Sequence, residues 1–79
     1  MEREQILQML REILLRQGRS ADVEDSSVLS TIGFRSLDFS ELALRVEHRI
    51  GRELNFDAGQ LRQIRTVGDV IDFLVRAAG

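Results

Sequence analysis

Eighteen residues, Gly18 to Arg35, separate the first two stretches of helical apolar spacing in this chain, and they are rich in Ser, Asp and Gly. In 79 residues, a connection that long counts against a compact helical hairpin and needs a structural reason. Its apolar anchors are Val28, Leu29 and Ile32. Before it, Ile6, Leu7, Leu10, Ile13 and Leu14 fall on one stripe at about 100° per residue, which predicts a first helix over residues 2–17. Gly18 stands where a left-handed terminator belongs, and Leu15 lies off the stripe. After it, Phe39, Leu42, Ala43, Val46 and Ile50 form the core-facing stripe of a helix from about Ser36 to Ile50, stopped by Gly51.

The rest of the chain continues in the same period. Asp57 is placed to cap a brief third element, which Gly59 weakens. Thr66-Val67-Gly68-Asp69 has the form of a capping box with Asp in place of Glu, and Val67, Val70, Ile71 and Leu74 carry a final helix to about Ala77. No alternating pattern is long enough for a strand. The expectation is an all-α chain, a four-helix bundle with a long first loop and a short third helix, forming a single domain over residues 1–79.

Composition excludes several function classes. With no cysteine, the chain has no disulfide, thiolate metal site or cysteine nucleophile. All 11 basic residues are arginine, and the net charge of −2 without a basic run argues against binding nucleic acid. No apolar run is long enough to insert into a membrane. Met1-Glu2-Arg3-Glu4-Gln5 lacks the basic-then-apolar layout of a signal peptide, so the expected location is the cytoplasm and the expected state a monomer.

The residues with chemistry to offer lie in Gly33-Phe34-Arg35-Ser36-Leu37-Asp38-Phe39-Ser40-Glu41-Leu42. Ser36 opens the second helix, where a side-chain oxygen can cap an unpaired N–H. As a hydrolytic nucleophile it fails. The elbow pattern needs glycine two residues later, where Asp38 stands. The only histidine, His48, lies twelve residues along the same helix, roughly 18 Å away at 1.5 Å per residue, and reads as a solvated surface residue. Asp38 and Glu41 read as first-turn acids favoured by the helix dipole. As an acceptor Ser36 is well placed, because a phosphodiester on its oxygen would sit at the positive end of a helix. Leu37 and Leu44, beside Glu41, Arg45 and His48, fall on the face opposite the core and suggest an apolar docking stripe.

Gly-x-x-Ser-Leu-Asp followed by Glu41-Leu42 and a helix resembles the modification site of acyl carrier proteins and related thiolation domains. The resemblance extends over nearly the whole chain. It implies that Ser36 carries 4'-phosphopantetheine, whose terminal thiol holds acyl groups as thioesters, and that the protein is a carrier and not an enzyme. It implies that partners are a phosphopantetheinyl transferase and acyl-activating, acyltransferase or condensing enzymes of a fatty-acid, lipid or polyketide-type pathway. They would dock on Arg35, Leu37, Asp38, Glu41, Leu44, Arg45 and His48.

Three departures distinguish this chain from that family pattern. Arg35 replaces the usual aspartate before the serine, Ser30-Thr31 replaces an acidic loop, and residues 36–52 balance Asp38, Glu41 and Glu47 against Arg45, Arg49 and Arg52. They imply a specialised carrier with dedicated partners, since family partners usually present basic patches. The competing reading is a carrier-fold interaction module whose Ser36 stays bare.

Overall fold

The computed structural model describes residues 1–79. Five helices follow one another: α1 (Arg3–Arg16), α2 (Leu29–Ile32), α3 (Ser36–Ile50), α4 (Ala58–Leu61) and α5 (Val67–Ala78). The three long ones, α1, α3 and α5, pack against one another in all pairs. Their inward stripes supply most of the core, with Ile6, Leu10, Ile13, Leu42, Val46 and Leu74 fully buried. Phe39, Phe56 and Phe73 close one end of this core as a triangle of rings 5.5–6.0 Å apart. Edge-on aromatic contacts of this kind favour such an arrangement over face-to-face stacks.

The four expected helices form, and one further turn, α2, lies inside the long loop. Four residues are too few to register as a period, and the turn is visible only because Gly33 ends it in the left-handed region at φ 76°. The expected anchors also need correction. Leu29 and Ile32 are half-buried and pack against the core as expected, but Val28 is exposed, and the residues of this stretch that enter the core are Val23 and Phe34. Backbone pairing explains the difference, because Val28 is held by a bridge to Thr66 and not by burial of its side chain.

That pairing also explains the loop's length. At the start of α5, Val67 N–H donates to Ser27 O (3.0 Å) and Gly68 N–H to Asp25 O (2.9 Å). Asp69 N–H donates to Thr66 Oγ1 (3.1 Å) and Val70 N–H to Thr66 O (3.1 Å). The loop therefore returns along the bundle to fill the amides that a helix start leaves without partners. A side chain at position 68 would place its Cβ 3.2 Å from the Asp25 backbone, so the approach depends on glycine.

Asp69 completes the cap by accepting from the backbone N–H of Arg65 (3.0 Å) and Thr66 (3.1 Å). The Arg65 amide and then the Thr66 amide hold its carboxyl below the usual range, against a smaller opposing effect of desolvation. A lowered folded-state value means that this contribution is complete above the ordinary carboxylate pKa of about 3.9. It is lost as pH falls from there through the folded-state value. Asp69→Asn should cost about 1 kcal/mol at neutral pH, and the difference from the wild type should shrink on acidification across that window in urea unfolding.

Candidate functional site

Gly33, Phe34 and Arg35 turn the chain from α2 into α3. Phe34 is buried, its N–H donates to Leu29 O (3.0 Å), and the next two residues are thereby brought to the surface. Ser36 is exposed, and its hydroxyl makes no hydrogen bond within the chain. It is the first residue of α3, not the cap; Arg35 occupies the cap position and makes no side-chain cap bond. This corrects the expectation that Ser36 supplies the capping oxygen. Asp38 reaches back from inside the first turn to accept from the N–H of the cap residue Arg35 at 2.7 Å, and leaves the first amides of α3 open.

Asp38 is consequently no docking residue. It is 6% exposed, the only buried charged side chain, and Gln17 donates to its second oxygen. A short acidic side chain three residues after the cap is drawn back over the helix start, which a helical wheel alone does not reveal. Glu41 and Arg45 are also engaged. Arg16 pairs with Glu41, and Arg45 reaches both Glu41 (3.1 Å) and Glu12 (3.3 Å), forming a network between α1 and α3. Among the other expected positions Arg35 and His48 are exposed, and Leu37 and Leu44 are 84% and 64% exposed. Arg52 points to the other end of the bundle, donating to Ala78 O (2.8 Å) at the close of α5.

The backbone amides of Ser36 and Leu37 have no acceptor in the chain. In α5 the loop fills the corresponding amides, so the two helix starts differ in kind: one is closed by protein and the other is open to an anion. Ser36 lies on the rim of an open groove of about 920 Å³ between the α2–α3 turn and α4, floored by Leu29, Phe39, Phe56, Leu61 and Ile64. Sequence reasoning missed this groove because its floor comes from four separate segments. An exposed, unbonded hydroxyl, open amides and an adjacent apolar groove fit a serine-linked phosphodiester carrying a long arm.

A small helical bundle that presents an exposed serine at a helix start beside an open groove has the architecture of a carrier. A curated acyl carrier protein from Coprothermobacter proteolyticus is 40% identical over 77 residues, spanning 94% of this chain and 92% of that protein. The crystal structure of an acyl carrier protein from Thermotoga maritima matches with a TM-score of 0.71 at 25% identity, covering 98% of this chain and 91% of that one. No family model matches. The chain belongs to the acyl carrier protein family, and is a carrier and not an enzyme. The family implies a phosphopantetheine group and interaction with biosynthetic enzymes. No helix is long and apolar enough to cross a membrane.

Proposed function

We propose that the chain holds acyl intermediates as thioesters on a 4'-phosphopantetheine arm attached to Ser36, and passes them between enzymes of a fatty-acid, lipid or polyketide-type pathway. The observation that carries this reading is the exposed, unbonded Ser36 hydroxyl beside the open amides of α3. In the modification step Ser36 Oγ forms a bond to the phosphorus of coenzyme A that bears the pantetheine. The pyrophosphate P–O bond breaks, adenosine bisphosphate leaves, and the serine proton passes to a base of the transferase. No residue of this chain lies in position to serve as that base, in keeping with a substrate role. Once bound, the arm supplies a thiol to a chain without cysteine.

The chain's own residues then orient and present. The Ser36 and Leu37 amides face the phosphodiester, Arg35 offsets its charge, and the groove lies within reach of the arm. Leu37 and Leu44 form the apolar contact for the transferase and for acyl-activating, acyltransferase or condensing enzymes, with His48 at its edge and Arg35 beside Ser36. The protein acts as a monomer in the cytoplasm.

Co-expression with a permissive phosphopantetheinyl transferase tests the reading by intact mass. One added phosphopantetheinyl group is expected. An unchanged mass with an active transferase would favour the bare interaction module.

Arg35 is costly where it stands. A cation at a helix start opposes the dipole, and arginine offers no oxygen to the first-turn amides. Arg35→Asp is expected to stabilise the fold by about 1 kcal/mol in denaturant unfolding. It should also speed modification by a holo-synthase that prefers acidic carriers; a rate no higher than wild type would show that Arg35 does not set transferase choice.

A further inference from the structure

Four arginines border the groove beside Ser36, and no aspartate or glutamate does. This is unexpected in a chain with 13 acidic and 11 basic residues. Elsewhere most arginines are partnered: Arg3 pairs with Asp25 and Asp72, Arg16 and Arg45 with Glu41, and Arg52 with the end of α5, while Arg49 and Arg76 stand singly on the surface away from the groove. Around the groove, the side chains of Arg19, Arg35, Arg62 and Arg65 enter no ion pair or hydrogen bond and are exposed. The Arg19 guanidinium lies across Gly33, within 3 Å of where a Cβ would stand, which places it beside the serine turn.

Two of these positions carry a local penalty. Arg35 occupies the cap of α3 and Arg65 immediately precedes the Thr66 cap of α5, and both helix starts favour anions. Like charges gathered without counter-ions also repel. Such a collar is accounted for by an anionic occupant. The phosphodiester on Ser36 supplies about one negative charge at the Arg35 end, which leaves Arg62, following α4, without a counter-charge and Arg65 with only the nearby carboxyl of Asp69, whose Oδ2 already accepts from the Arg65 and Thr66 amides.

We propose that this groove receives an acyl group carrying a free carboxylate, its methylene chain on Phe39, Phe56 and Leu61 and its carboxylate between Arg62 and Arg65. Arginine suits the task because its planar guanidinium binds carboxylate through paired charge-assisted hydrogen bonds. The apolar floor takes the chain that separates the two acyl ends. The site selects dicarboxylic acyl groups over simple fatty acyl groups of the same length. This assignment of cargo rests on the carrier reading of Ser36.

The test uses the full chain loaded by a permissive transferase from two coenzyme A donors. One carries glutaryl, the other a branched acyl group in which isopropyl replaces the carboxylate. Intact mass verifies loading, and amide hydrogen exchange over residues 58–65 reads the occupied groove. At low salt glutaryl should slow exchange there about tenfold more than the neutral group. The difference should collapse at about 1 M salt, where screening is strong. It should also collapse in Arg62→Gln/Arg65→Gln, whose exposed substitutions leave the fold intact. Equal protection by both acyl groups, or glutaryl protection that persists in the double variant, overturns the proposal and leaves the carrier reading standing. Failure of both donors to load Ser36 overturns both.

Discussion

Ser36→Ala is expected to abolish addition of phosphopantetheine completely while leaving the fold unchanged. The loss is total because the oxygen removed is the atom that forms the new bond to phosphorus. The fold survives because that oxygen supports nothing else: it makes no hydrogen bond, and the start of α3 is secured by Asp38 accepting from Arg35 and by the Phe39 N–H donating to Arg35 O at 3.0 Å. Alanine is also a good helix former at an exposed first-turn position. Intact mass after co-expression and the thermal midpoint by circular dichroism measure the two halves. Residual modification would place the attachment elsewhere, with Ser40, one turn further along α3, the position to examine next. A midpoint lowered by more than a few degrees would show that the hydroxyl has a structural role.

The second large effect separates two leucines of the same helix. Leu42 is fully buried, whereas Leu44 is 64% exposed. Leu42→Ala should cost about 2–5 kcal/mol, from lost apolar transfer and the cavity left where α1, α3 and α5 meet. Set against a total of about 4–12 kcal/mol for a chain of this size, that lowers the thermal midpoint by about 10–25 °C. Leu44→Ala should change stability by no more than about 0.5 kcal/mol, yet weaken productive encounter with partner enzymes, read as a raised KM in the transferase assay. Equal stability losses in the two variants would refute the assignment of faces. An unchanged KM for Leu44→Ala would remove Leu44 from the docking surface.

Some of this architecture was legible from residue order because it depends on short-range periodicity. The stripes of α1, α3 and α5, the Thr66–Asp69 cap and the stops at Gly18 and Gly51 all arise within a few residues of one another. The outward placement of Leu37 and Leu44 follows from the same period. What failed did so where a neighbour distant in sequence decides the outcome. Asp38 looked like an exposed first-turn acid, and is covered once Gln17 comes over it from the end of α1. Val28 looked like an anchor, but Thr66 holds it through the backbone. Glu41 and Arg45 looked free, and α1 supplies their partners.

The departures from the family pattern show the same division. Arg35 stood out in the sequence as a single exchange beside Ser36. Its grouping with Arg19, Arg62 and Arg65 emerges only when the α2–α3 turn and the segment after α4 lie on opposite sides of one groove. By itself, the sequence determined that the chain is helical, where its long helices run, and that a serine opens the one with an apolar outer face. Those features follow from the helical period and from which residues begin and end helices. Only the tertiary structure decided which side chains are covered, how the long loop is pinned to α5, and that four arginines share one groove. Burial and charge clustering are set by segments that meet in space, and local order along the chain carries no record of those meetings.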